Sequence, residues 1–206
     1  MYKNADSSLY KIEFKTNIIT VGQLVDHYCR PEKFLEFCKD CPEYGAVWSC
    51  PPLDFDPRKY LYGYHYAAII GTKISYEPNF ILESKTSPEA GKALYNELSL
   101  KLHNALLEAE TFDSKAVAPG SCRLCQPCER VFGRKCKYPD KMRYSFDAFG
   151  MGLGGISMFL LGTELLWEKE GLPEYHMPIS AFLINNPCGD IISENIIRRF
   201  KEAMLR

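Results

Sequence analysis

The chain has 206 residues, 46% of them hydrophobic, with 25 basic against 26 acidic side chains and a formal net charge of −1. That length and apolar content suffice for one well-cored domain spanning residues 1–206, so folding need not depend on metal as it does in a small zinc finger. Balanced charge without a basic stripe argues against nucleic acid as a partner, and the longest apolar stretch, Gly150–Gly162 (GMGLGGISMFLLG), is too short and glycine-rich to span a membrane.

The N-terminal MYKNADSSLYKIEFK lacks the apolar core of a signal peptide, and a cytoplasmic location is expected. Tyr10–Val21 alternates aromatic or β-branched residues with polar ones and predicts a strand. Helical pieces follow from about Gly22 and over Pro31–Phe37, where Pro31 suits a first helical turn. Cys50-Pro51-Pro52 ends that region, because successive prolines remove backbone donors and restrict the residue before them. Asp56-Pro57 opens a short helix carrying Tyr60 and Tyr64, and Tyr66–Tyr76 reads as a buried strand.

From Ser87-Pro88 to about Glu110, Ala90, Leu94, Leu98, Leu102 and Leu106 recur at helical spacing, with Ser87 as the capping residue. Lys115–Ala118 is a short strand leading into Pro119-Gly120. Residues 140–166 are expected to be helical around glycine breaks, Met177–Asn185 a strand, and Ser193–Leu205 a closing amphipathic helix. This order predicts an α/β fold: a single-domain sandwich of one mixed sheet with flanking helices and two cysteine-rich loops.

Seven of the nine cysteines fall in those loops. An odd total in a reducing compartment fits disulfide pairing poorly and points to metal ligands or redox groups. Cys122, Cys125 and Cys128 form a C-x2-C-x2-C run, and Cys136 follows after seven residues. The run matches the bacterial ferredoxin core, in which three close cysteines and a distant one hold a [4Fe–4S] cube. Structural zinc more often uses two separate C-x2-C knuckles, and a third cysteine so close is awkward for one tetrahedron. In ferredoxins proline follows the distant ligand; here it follows Cys50, while Cys136 reaches proline only at Pro139, so the two groups could exchange a ligand.

Cys38, Cys41 and Cys50 form the first group, with three ligands. Cys29, nine residues before Cys38, is either a fourth ligand or a buried thiol behaving as a small hydrophobe. Without it, one iron is open to water or substrate. Cys188, in NNPCGD, is isolated and reads as a buried or turn residue, with a ligand role open. His27, His65, His103 and His176 form no H-x-x-x-H pair and read as surface or core residues. Arg123, Arg130, Arg134 and Lys135 either make a cationic rim around the second group or belong to a solvated loop. Gly150, Gly152, Gly154 and Gly155 lack the lysine of a phosphate-binding loop and indicate close helix packing.

KFLEFCKDCPEYGAVWSCPPLDFD and APGSCRLCQPCERVFGRKCKYPDKMRYSFDAFGM resemble, in order, an uncharacterised family of predicted metal-binding proteins found in anaerobic bacteria and archaea. The resemblance runs from about residue 30 onward. It rests on Tyr44, Gly45, Cys50, Pro51 and Pro52; on Gly120, Cys122, Cys125, Cys128, Cys136 and Pro139; and on Arg143, Ser145, Phe146, Asp147 and Ala148. Phe146 and Asp147 replace the usual Met and Glu, and Cys29 is not a cysteine position of the family pattern, which leaves it outside the expected ligand set. The resemblance implies metal binding and no particular reaction.

The leading expectation is an iron–sulfur protein of anaerobic redox metabolism with two [4Fe–4S] clusters on Cys38, Cys41, Cys50, Cys122, Cys125, Cys128 and Cys136, transferring electrons or serving a redox enzyme. The alternatives are a zinc-stabilised interaction module, and a small-molecule enzyme with an open iron between the CPP loop and Arg143–Ala148. Neither substrate nor redox partner is legible.

Overall fold

The computed structural model describes residues 9–167, 171–187 and 189–206. Cys188 lies outside the described residues.

Strand β1 (Tyr10–Thr20) runs straight into helix α1 (Val21–Tyr28), where the Thr20 side chain accepts from the Gln23 N–H and caps the new helix. Helix α2 (Pro31–Lys39) and the short α3 (Pro57–Leu61) follow, the latter capped by Asp56. Then come β2 (Tyr66–Tyr76), α4 (Pro78–Thr86), α5 (Pro88–Ala109) and β3 (Ser114–Val117). After the second cysteine segment come α6 (Leu153–Gly155) with a π-turn over Ile156–Leu160, then β4 (Tyr175–His176), β5 (Ile179–Ile184) and α7 (Gly189–Met204).

The sheet order is β1-β2-β5-β3, with β4 paired to the far end of β2. β1 and β2 are in register from Tyr10 opposite Tyr76 to Thr20 opposite Tyr66, and β5 joins β2 from Tyr66 opposite Ile184 to Gly71 opposite Ile179. The α/β class is as expected, but every ladder is antiparallel where a mixed sheet was predicted. Strand direction follows from which edges the connections reach, and a sequence pattern does not encode that. The parallel pairing among the described residues is an isolated bridge between Ala118 and Ser145.

Both faces of the sheet are covered, because alternate residues point to opposite sides. Ala68, Ile70, Phe182 and Ile184 face α4, α5 and α7; Ala67, Ile69, Ala181 and Leu183 face α1, α3 and the 144–161 segment. Leu98, Leu102 and Leu106 of α5 are almost wholly buried, each contributing roughly 1.5–3 kcal/mol of apolar burial.

Three local expectations differ from the structure. Ser87 makes no capping side-chain hydrogen bond; its N–H instead donates to Glu83 O and closes α4. Helix α4 itself was not anticipated. Residues 140–152 form turns rather than helix, with regular helical structure beginning only at Leu153. Gly150 is the physical reason: its φ is +70°, and a Cβ there would lie 2.5 Å from Pro31 Cα, so the chain turns tightly against the start of α2.

Candidate metal centre

The first cysteine segment is a chain of turns leaving α2. Cys38 sits in the last turn of α2, the Cys41 N–H donates to Cys38 O, and the Tyr44 N–H donates to Cys41 O. Gly45, at φ +68°, reverses the chain and donates its N–H to Pro51 O, and Cys50 N–H closes on Val47 O. The result brings Cys38, Cys41 and Cys50 close enough for their thiols to act electrostatically on one another.

The second segment gathers Cys122, Cys125, Cys128 and Cys136 in the same sense: the other three act on the Cys122 thiol, and Cys128 and Cys136 act on that of Cys125. A 3-10 turn over Glu129–Phe132 follows Cys128 and is closed by Gly133 at φ +65°. The backbone N–H groups of Leu124 and Glu129 favour the thiolate forms of Cys122 and Cys125.

Burial raises the thiols of Cys38, Cys50, Cys122 and Cys125 above the ordinary cysteine range, Cys50 to about 12, with neighbouring Glu43 adding to the effect there. Bare, these thiols are protonated at neutral pH. A bound cation reverses that balance, since its charge favours the thiolate.

Three contacts tie the two segments together. Arg130 donates from Nη1 to Val47 O (2.9 Å) and Cys50 O (2.7 Å) and from Nη2 to Pro52 O (2.8 Å), with its guanidinium over the Trp48 ring. Buried Ser49 accepts from the Cys122 N–H at 2.8 Å, and Trp48 Nε1 donates to Arg134 O at 2.9 Å. Neither of the two readings of the basic residues, a cationic rim or a solvated loop, describes all of them. Arg130 is a staple between cysteine loops, Arg134 is exposed and pairs with Glu129 at 3.5 Å, and Lys135 is exposed.

Cys29 stands apart from both groups. It is fully buried in the core beneath α1, and its thiol donates to Phe149 O at 3.5 Å. Burial raises its pKa, and the charges acting on it belong to Arg58, Glu32, Arg30 and Asp56 rather than to any cysteine. His27 and His65 are exposed, and His176 packs against Tyr76 and Tyr95. Gly152 and Gly155 give close approach to Phe34 and Tyr28, whereas Gly154 faces open space.

The Arg143–Ala148 element divides its labour. Arg143 is buried and donates from Nε to Glu110 Oε2 (2.7 Å), from Nη2 to Glu110 Oε1 (2.6 Å), and from Nη1 to the carbonyls of Asp140 and Met142. Burial alone would raise the Glu110 carboxyl; the Arg143 bonds and the Ala116 N–H outweigh it and hold it below the usual range. With Ala118 N–H bonded to Tyr144 O, this clamp fixes the element beside the end of β3. Ser145, Asp147 and Ala148 then line a cavity of about 750 Å³ shared with Cys38, Cys41 and Cys50.

Asp147 is open to that cavity yet enclosed by protein elsewhere, and this enclosure raises its carboxyl pKa. The opposite wall is α5, through Tyr95, Ser99 and His103. Their i, i+4, i+8 spacing makes a polar stripe beside the leucine stripe, a signal legible in the sequence but overshadowed by the stronger apolar pattern. His103 Nε2 meets Lys141 O at 3.0 Å and must donate, because a carbonyl only accepts. Burial lowers its pKa, so the ring is neutral with Nδ1 as acceptor.

No three His, Cys, Asp or Glu side chains among the described residues converge closely enough to hold one metal ion. Ligands of a single zinc lie about 3.8 Å apart from the Zn–S length and tetrahedral angle, whereas cysteines around a multi-iron cube need not approach so closely. The second loop suits a group held by several thiolates: Cys122, Cys125, Cys128 and Cys136 are all half-buried and act on one another electrostatically.

An antiparallel α/β sandwich carrying two linked groups of cysteines on its loops defines the class as cysteine-rich metal-binding proteins. A family profile described as "Predicted metal-binding protein (DUF2284)" matches residues 18–177, and the chain belongs to that family. No curated protein and no solved structure matches it. No helix among the described residues is long and apolar enough to cross a membrane.

Proposed function

We propose that the chain is an iron–sulfur protein of redox metabolism, with Cys122, Cys125, Cys128 and Cys136 holding one [4Fe–4S] cluster and Cys38, Cys41 and Cys50 holding another. The observation that carries this reading is the four-cysteine loop, whose thiols act on one another and whose backbone N–H groups favour the thiolate at two of them. Such donors stabilise negative charge on sulfur and thereby tune potential. A bound cluster supplies a one-electron couple. The chain's own residues half-bury most of the ligands and keep the two cysteine loops in contact through Arg130, Ser49 and Trp48.

A second reading, small-molecule chemistry at the three-cysteine group, is favoured by the cavity that opens on Cys38, Cys41 and Cys50 and not on the other four. Three thiolates leave a fourth position for a ligand from that cavity, and Glu43, His103 and Asp147 are among the titratable groups that line it.

Anaerobic purification with subsequent iron, zinc and acid-labile sulfide analysis tests the proposal. The expected result is about eight irons and eight sulfides per chain, four of each per cluster. Stoichiometric zinc without sulfide would instead identify a zinc-stabilised interaction module.

A further inference from the structure

The cavity beside the first cysteine group has a definite chemical polarity. At about 750 Å³ it falls within the range of small-molecule sites. Its body is apolar, built from Phe34 and Phe37 of α2, Leu100 of α5, Met151, Leu153 and Trp167. Phe37 is 68% exposed, Leu100 42% and Trp167 75%, so large apolar side chains meet water around one opening. Stray exposed apolar residues need no explanation; several lining the same cavity indicate a surface that a ligand covers.

Three charged side chains line the cavity, Glu43, Asp147 and Arg123. Asp147 acts on Cys38 and Glu43 acts on Cys50, so both carboxyls accompany the first cysteine group. Arg123 lies against α5, donating from Nη1 to Asn96 Oδ1 at 2.8 Å, and among the described residues it has no carboxylate partner. Its remaining N–H groups are available to a bidentate acceptor. Arg123 is the cationic side chain of the cavity lining, so a ligand anion is held there while its apolar body meets the apolar walls.

We propose that this cavity binds a small, predominantly apolar monocarboxylate, its hydrocarbon body against Phe34, Phe37, Leu100 and Leu153 and its carboxylate on the Arg123 guanidinium. The inference rests on the small-molecule reading of this site; the apolar walls and the guanidinium hold the ligand whether or not metal is bound.

The test is calorimetric titration of the anaerobically purified full chain, with iron and sulfide assayed in the same sample. The probes are 3-phenylpropionate, octanoate and their neutral amides, 3-phenylpropanamide and octanamide; the tighter of the two acids assigns an aryl or an alkyl body. One acid at least is expected to bind saturably, with the corresponding amide about tenfold weaker, the loss of one charge-assisted contact. Arg123→Gln should abolish the preference for acid over amide. Gly154→Phe should prevent binding of both at unchanged iron, sulfide and melting temperature, because Gly154 lines the cavity and a Cβ there meets nothing within 4 Å. Trp167 fluorescence offers a second readout, since the other tryptophan, Trp48, lies under Arg130 and away from the cavity.

The proposal fails if neither acid saturates at millimolar concentration, if the amide binds as tightly as the acid, or if the Arg123 variant keeps the preference. Acid binding by a sample without iron and sulfide would remove the cluster reading and keep this one. Full iron and sulfide with no acid binding would do the reverse.

Discussion

The two cysteine segments are built alike and placed differently. Each is a run of tight turns with a left-handed glycine, Gly45 in one and Gly133 in the other, and each gathers its thiols where burial raises them. The second offers four cysteines, none of which lines the large cavity although neighbouring Ser121 and Arg123 do; the first offers three that line it, with Asp147 and a hydrophobic hollow beside them. Ligand count and access therefore vary together. A complete thiolate set suits a group that only exchanges electrons, and an incomplete set beside a cavity suits one that also meets a ligand.

The largest expected effects come from removing ligands. Cys125→Ser should remove about four of about eight irons and leave the first group's share, and Cys41→Ala should do the converse. Metal analysis with visible absorbance checks both, and equal loss of all iron in either variant would mean that the two groups are one site.

Arg143→Met should cost roughly 3–5 kcal/mol, because it leaves Glu110 buried without its bidentate partner. Denaturant unfolding measures this. Its pH signature comes from the direction of the Glu110 shift. The folded carboxyl is held below its unfolded value, so the unfolded chain binds the proton first, and the clamp's contribution is present above about pH 4.3 and lost as pH falls further. His103, lowered by burial, works in the same direction below about pH 6.5. Glu110→Gln should flatten the lower limb of the stability profile and leave the upper limb; an unchanged lower limb would sink the assignment.

Arg130→Met probes the connection between the segments, because it cuts the strongest tie between them without touching a thiol. The cost should be about 2 kcal/mol, since the freed carbonyls lie near the surface where water can reach them. Both groups should lose metal faster to a chelator, and an effect confined to the second group would show that the staple serves only its own loop.

Cys29→Ala should have the smallest effect, about 1 kcal/mol from a truncated buried side chain, with iron and sulfide of the first group retained. Loss of that iron at unchanged folding would make the first group a closed four-thiolate site and remove the basis for an open position.

Local patterns carried a good part of this molecule. Tyr66–Tyr76 reads as a buried strand from its apolar run, and Leu98, Leu102 and Leu106 mark the buried face of α5 by helical spacing. The cysteine groups are visible because turns with thiols a few residues apart need no distant partner to bring them together. Where two elements compete, local reading falls short: Gly150 and Gly152 look like breaks in a helix, but contact with Pro31 and Phe34 explains why that stretch stays in turns.

Period, turn chemistry and ligand spacing are local properties of a chain, and they were enough to establish the α/β class, the two thiol sets and membership of a metal-binding family. Other features came only with the fold. The sheet is antiparallel, Cys29 lies in the core, Arg130 is a staple across some eighty residues, and Arg143 is a clamp while Asp147 faces a cavity. Each of these depends on which distant segments meet, and that is fixed by burying both faces of one sheet at once rather than by any neighbouring residue.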